Sequence, residues 1–290
     1  MVDLVTPLLD GFTWGIILVL ISVGLTLIFG FLKVLNFAHG AFYMLGGYVF
    51  FSVVEATGNY PVAFAASCLT VSVLAVFVEV ALLRHSYDFG PITQFIVMLG
   101  VAFVIEGLIV VIWGPSGRNV NTPQLLASST SLFGITYPTY RLFVAVVSLV
   151  LIVAIAALLR YSIIGLAIRA GLTDKMMVRA LGYDVPRIYT LVFASGILIT
   201  GFAGALMTPM RGVEPGTGNS ILLLAFIVVI IGGVGSFRGS VVAGLGVGLT
   251  DIFIARFVSF RLSGLSLFFI LLVVLIVRPH GLFGTQGVMD

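Results

Sequence analysis

Charge is what this chain has least of. Asp, Glu, Lys and Arg make up only 9% of its 290 residues, against 60% hydrophobic residues, where a soluble domain carries roughly a quarter charged residues. That deficit excludes a soluble globule of this length, since so much apolar surface has no polar shell to lie under. Cysteine is nearly absent. The one thiol, Cys68, lies inside an apolar run, which excludes an internal disulfide and leaves a small packed residue. The three histidines, His39, His85 and His280, stand far apart with no cysteine or carboxylate at ligand spacing, so no metal site is expected. The net charge of +3 comes without arginine clusters interleaved with aromatics, so nucleic acid is not an expected partner. A basic leader is also missing: Asp3 and Asp10 stand in its place, and the first apolar run is expected to be retained as a helix.

What the chain has in quantity is long uncharged runs, with a mean hydropathy of +1.25. Those at 11–32, 56–78, 188–210 and 215–237 each match the length of a helix crossing a ~30 Å hydrocarbon core. The expected fold is an all-α polytopic membrane protein whose chain, 1–290, forms one transmembrane domain. About nine crossings are expected, near 11–32, 38–54, 61–83, 92–113, 141–159, 188–208, 220–236, 239–257 and 264–278. The range is eight to ten, because 33–47 and 220–240 are glycine-rich enough to be broken or re-entrant. A polar stretch at 114–140, with a hairpin at SLFGITYP, separates a first half (1–113) from a second (141–290). The only strongly basic loop is 160–187, with Arg160, Arg169, Lys175, Arg179 and Arg187. The positive-inside rule makes it cytoplasmic. Alternation then puts the N-terminus outside and the C-terminus in the cytoplasm. Lys33 and Arg84 fall on the basic side; Arg256 and Arg261 fall outside, against the rule.

Two interruptions share a plan. In the first half GFLKVLNFAHGAFYMLGGYV (30–49) sets Lys33, Asn36 and His39 between apolar runs and follows them with Gly40 and Gly46. In the second, IGGVGSFRG supplies Gly232, Gly233 and Gly235. Paired interruptions in two halves point to a binding site in repeat-built transporters, whereas scattered glycines alone mark only helix contacts. The candidate substrate path is therefore Asn36, His39, Gly40, Tyr43, Gly46, Glu106, Gly232, Gly233 and Gly235. Glu106 joins it as the ionisable group set deepest in an apolar run.

Catalytic patterns fail on their own terms. GPSG at 114–117 matches an intramembrane serine-protease pattern, but the only later histidine, His280, is expected on the opposite side of the membrane. GGVGSFRGS lacks the Gly-Lys-Ser/Thr ending of a phosphate loop. No enzyme activity and no cofactor are expected in this chain, and any use of ATP falls to a partner. Within the basic loop, DKMMVRALGY (174–183) sets Met176, Met177, Ala180 and Leu181 on one helical face and stops at Gly182. That face rests either on lipid or on a soluble cytoplasmic partner.

NFAHGAFYMLGGYV (36–49), AIRAGLTDKMMVRALGYDVPRIYTLVFASGILITGFAGALM (167–207), IGGVGSFRGSVVAGLGVGL (231–249) and VRPHGLFG (277–284) together resemble the permease subunits of branched-chain amino acid ABC importers. The first motif is closer to the first-named of that system's two permeases. The resemblance implies a multi-pass subunit of the inner membrane that moves leucine, isoleucine or valine; close relatives take urea and short amides. It implies two cytoplasmic ABC ATPases carrying ATP and Mg²⁺, a second permease paired as a heterodimer, and an extracytoplasmic binding protein. It also makes Asp174 to Gly182 the coupling helix that seats in the ATPase, with Lys175, Met176, Arg179, Leu181 and Gly182 in it. A stand-alone channel or facilitator is the alternative from a different class.

Overall fold

The computed structural model describes residues 4–132, 134–173 and 175–284. Residues 1–3, Phe133, Asp174 and 285–290, with the side chains of Leu172, Thr173 and Lys175, lie outside the described residues. The elements run α1 (Val5–Leu32), α2 (His39–Thr57) and α3 (Tyr60–Val78), then a π-helical turn (Glu79–Leu83), α4 (Arg84–Ser86) and a 3₁₀ turn (Tyr87–Phe89). They continue with α5 (Pro91–Trp113), a 3₁₀ turn (Gln124–Leu126), β1 (Ser129–Leu132), β2 (Ile135–Pro138) and α6 (Thr139–Tyr161). The remaining helices are α7 (Ile163–Thr173), α8 (Lys175–Ala180), α9 (Val185–Arg211), α10 (Thr217–Gly232), α11 (Phe237–Phe257) and α12 (Phe260–Val277).

Each apolar segment read from the sequence falls on one of these helices. Among the described residues, seven are long and apolar enough to cross a membrane: α1, α3 continued to Phe89, α5, α6, α9, α11 and α12. α10 has only 16 residues, and α2 is diluted by His39, Glu55 and glycine. The expected hairpin is present: β1 and β2 pair antiparallel with Thr130 opposite Tyr137. The basic loop is more ordered than expected, since it contains α7 as well as α8.

The chain divides into two compact units, and three helices run through both. The first comprises Met1–Thr26, Asn121–Leu149 and Leu223–Asp290. Here α1 lies against α11 at small residues: Gly11 faces Leu249, Gly15 faces Leu245, and Val19 faces Gly244. Several polar groups of this unit satisfy one another, as groups away from water require. Trp14 Nε1 donates to Asp251 (3.0 Å), Ser263 Oγ donates to the other Asp251 oxygen (2.7 Å), and Thr26 pairs with Ser240 (2.6 Å). Asp10 accepts from Tyr137 (2.8 Å) and forms an ion pair with Arg141. Burial pushes the Tyr137 phenol above its usual pKa.

The second unit comprises Leu27–Val120 and Val150–Leu222, with α2 at its centre. α2 packs most extensively on α9, then on α3 and α5. Its low apolarity follows from that position: a helix ringed by protein has no need of a lipid-facing stripe, and α2 spends those positions on glycine and polar groups. A Cβ on Gly46 would run into the Gly201 backbone, one on Gly204 into the Tyr43 carbonyl, and one on Gly40 into Gly218. With lipid as apolar as leucine, such close van der Waals contact is what holds membrane helices together. Asn59 ends the turn after α2 by accepting from Val62 N (3.1 Å), with Pro61 in the first turn of α3. At the other extreme is α12, of whose most apolar 18 residues 6% are buried, against 89% for α1.

Gly46→Val or Gly204→Val is expected to force α2 from α9, an overpacking cost of about 1–3 kcal/mol or more. Gly100→Ala and Gly107→Ala on α5 meet open space and should stay within about 1 kcal/mol of the parent. Thermal unfolding of the purified protein in detergent, read side by side for the four variants, checks the contrast.

Candidate functional site

The first interruption is a short extended stretch between α1 and α2. The Lys33 amide still donates to Phe29 O (2.8 Å), but its φ of 59° is left-handed, the one such non-glycine residue among those described. A side-chain-bearing residue there is strained and held by its surroundings. From Lys33 to Asn36 burial alternates as in a strand: Lys33 and Leu35 are exposed, Val34 and Asn36 buried. Asn36 is fully enclosed, and neither its amide oxygen nor its nitrogen meets a hydrogen-bond partner among the described residues. A carboxamide so placed costs about 1–3 kcal/mol. It is the kind of group that waits for something the protein chain does not itself supply.

Three residues on, α2 begins with His39, also fully buried. Its Nε2 lies 2.8 Å from the Thr200 hydroxyl of α9, and that hydroxyl donates to Gly196 O (2.9 Å). Tyr43, buried one turn later, shares a face with His39. Gly40 and Gly46 stand at the crossings described above, where their lack of a side chain lets α10 and α9 close on α2. Glu106 is half-buried on α5, with Oε1 4.0 Å from where a Cβ on Gly216 would lie, beside the turn into α10.

The second interruption differs in kind. α10 ends at Gly232, and Gly233 to Ser236 turn into α11, whose first amides are capped by Ser236 Oγ on Gly239 N (3.1 Å). The chain's own distal segment docks there. Leu282 N donates to Ile231 O (2.8 Å) and Phe283 N to Gly232 O (3.0 Å), and a Cβ on Gly233 would strike Gly284. Two orphan carbonyls of α10 are thereby satisfied. Gly235 takes the turn itself. The GLFG motif thus has a structural use that sequence alone did not expose.

In the basic loop, α8 presents Met176, Met177 and Arg179 outward, with Met176 82% exposed and Leu181 exposed just past its end, while Val178 is buried in the core of the second unit. Gly182, at φ 86°, ends the helix as a left-handed cap, and Asp184 starts α9 by accepting from Arg187 N (3.2 Å). Of the expected coupling residues, Asp174 and the side chain of Lys175 lie outside the described residues.

Sequence reasoning missed one buried polar cluster. Glu79, a carboxylate within an apolar run, is fully enclosed. It accepts from Arg84 Nη2 (3.0 Å), from Thr190 Oγ1 of α9 (2.6 Å) and from Tyr87 OH (3.2 Å). The π-helical turn makes this possible, because its i→i+5 closure brings residues five apart onto one face. The Glu79/Arg84 spacing was a signal only to a reader expecting that turn.

A multi-pass membrane protein with an extended break between two apolar helices and a short exposed helix on a basic loop is the class these features define. The family model for the branched-chain amino acid transport system permease component matches residues 8–277, and the chain belongs to that family. It is 28% identical to the high-affinity branched-chain amino acid transport system permease protein LivH of Escherichia coli (strain K12), over 96% of this chain and 95% of that protein. It is 26% identical to BraD, the corresponding permease protein of Pseudomonas aeruginosa, over 97% and 96%. The probable LivH of Methanocaldococcus jannaschii is 24% identical over 93% and 89%. No solved structure matches significantly.

Arg84→Ala strands the enclosed Glu79 carboxylate. The loss expected is near the low end of the roughly 3–5 kcal/mol for a buried pair losing one partner, because Arg84 is itself partly exposed. Arg187→Ala, which breaks the exposed pair with Asp184, should cost within about 0.5 kcal/mol. Denaturant unfolding of both variants in detergent gives the comparison.

Proposed function

We propose that this chain is the permease subunit of a binding-protein-dependent ABC importer of the inner membrane and that it moves branched-chain amino acids. The observation that carries the reading is the match, over nearly the whole chain, to permeases named for that transport. In this reading the chain crosses the membrane nine times, with its N-terminus outside and its C-terminus in the cytoplasm, and it does no catalysis. Two cytoplasmic ATPases bind ATP and Mg²⁺, a second permease completes the path, and an extracytoplasmic protein delivers substrate.

The first interruption supplies the polar part of the path. A branched-chain amino acid brings an ammonium, a carboxylate and an apolar side chain. The Asn36 carboxamide offers both a donor and an acceptor, neither of them engaged among the described residues. His39 and Tyr43 add polarity on one face of α2. Charged groups are not needed, since fixed dipoles serve a zwitterion that must also leave. On the other side of the mechanism, the outward face of α8 offers exposed methionines, an exposed leucine and a cation to the ATPase. Methionine suits a docking surface that must re-pack through a transport cycle.

Reconstitution in liposomes with the partner subunits is expected to give leucine uptake that needs both ATP and the ATPases; flux through this chain alone, indifferent to ATP, would identify a channel. Asn36→Leu removes an unsatisfied group and should leave unfolding unchanged or raise it by about 1–3 kcal/mol, while uptake falls roughly ten-fold, about 1.4 kcal/mol of lost recognition. A variant that is destabilised yet transports normally sinks the assignment. Arg179→Glu combined with Gly182→Pro is expected to abolish co-purification of the ATPases without loss of membrane insertion.

A further inference from the structure

Both arms of the basic loop close on one side chain. Phe31, in the last turn of α1, is fully buried. From the arm that enters the loop, Gly171 of α7 comes so close that a Cβ there would overlap the Phe31 ring edge. From the arm that leaves it, Tyr189 in the first turns of α9 meets the Phe31 ring edge-on, with centroids 5.5 Å apart. Tyr189 also stacks edge-on with Tyr87 (5.1 Å), whose hydroxyl donates to Glu79. Glu79 in turn accepts from Thr190, so the foot of α9 is tied down on two consecutive residues. The buried face of the loop (Ala167, Ile168 and Val178) belongs to the same core cluster as Phe31, Val34 and Ala38. Two residues beyond Phe31 lies the left-handed Lys33, and five beyond lies Asn36.

This arrangement leaves little slack. α8 can be pulled outward or tilted only with Val178, and hence with the α7 and α9 feet that grip Phe31. The edge-to-face ring contact and the ring-on-glycine contact are both steep in distance, so they pass on a displacement of a fraction of an ångström instead of absorbing it. The element just beyond Phe31 is left-handed at Lys33 and is held from Val34 to Ala38 by turn hydrogen bonds, Phe37 N to Leu35 O (3.1 Å) and His39 N to Asn36 O (3.3 Å), in place of a regular helix, so it is the irregular piece adjoining the grip.

We propose that Phe31 is the positioning residue through which the 163–184 loop sets the conformation of the 33–38 stretch, and so the presentation of Asn36. The proposal rests on the importer reading above and adds to it the route by which the ATPase side governs the substrate side.

The test uses the full complex in liposomes, with binding protein and leucine. Phe31→Leu keeps the apolar volume broadly but removes the ring edge, and Gly171→Ala pushes on the ring from the other side. Each is expected to retain bound ATPases and basal hydrolysis within about two-fold while lowering leucine taken up per ATP roughly ten-fold, a usual size for coupling between sites. In Phe31→Leu/Gly171→Ala the added methyl occupies space the ring has left, so the double variant is expected to recover much of the lost ratio, a non-additivity that marks direct coupling. A readout independent of uptake is maleimide labelling of Asn36→Cys in a Cys68→Ser background. With Phe31 in place its rate is expected to change when ATP is added; with Phe31→Leu that response is lost. Uptake per ATP within about two-fold of the parent in both single variants overturns the proposal, since that is far below the expected coupling. So does strict additivity in the double variant, or a nucleotide response of the thiol that survives Phe31→Leu. If the parent complex itself shows ATP-independent flux, the importer reading falls instead, and the two failures are told apart by that control.

Discussion

Backbone-to-backbone contact around α2 is the constraint on which the second unit depends. Lipid gives helices no hydrophobic reason to associate, so their union rests on how many atoms can approach within van der Waals range. α2 meets this by exposing its main chain: Gly40 to Gly218, Gly46 to Gly201, and the Tyr43 carbonyl to Gly204. Once those crossings are fixed, the polar residues at its start have no freedom left. His39 must lie against Thr200, and Asn36 must face inward from the stretch before it. Two buried polar side chains are thus held in place by residues that carry no functional groups at all.

The two glycine-rich interruptions look alike as strings of letters and behave differently as structures. At the first, the interior is left with a carboxamide that has no partner among the described residues, three positions after an exposed lysine in a left-handed backbone conformation. At the second, the freed carbonyls of α10 are taken up by amides from the 281–284 segment. One interruption encloses a polar side chain without a partner among the described residues, and the other is sealed by the chain itself. Similarity of composition is therefore a poor guide to similarity of role, because what distinguishes them is a set of backbone hydrogen bonds that no side chain announces.

The membrane class and the positions of the helices were legible because hydrophobic run length is a direct physical requirement of a bilayer. Leu32, Trp113 and Val277 end helices close to where the runs end. Asn36 and His39 were legible as oddities, polar residues among apolar ones, although the enclosure of Asn36 could be learned only from the packing of distant segments. α7 was not legible: Arg160 and Arg169 drew the whole stretch toward a loop, while Ala167, Ile168 and Gly171 on its inner face were too few to assert a helix by themselves. The Glu79 cluster was not legible because its partners come from a π-helical turn and from Thr190, more than a hundred residues away. The seam between α1 and α11 was half visible in the Gly11/Gly15 spacing, and its other half, Trp14 on Asp251, was not.

The docking of Leu282 and Phe283 on the end of α10 bears on how the chain matures. The carbonyls of Ile231 and Gly232 are made long before the amides that satisfy them, with α11 and α12 synthesised in between. Until the 281–284 segment arrives, the end of α10 must find water or another donor. The turn between α10 and α11 is therefore a late closure in the order of assembly, and a nascent chain halted within α12 carries an open helix end that the finished protein never shows.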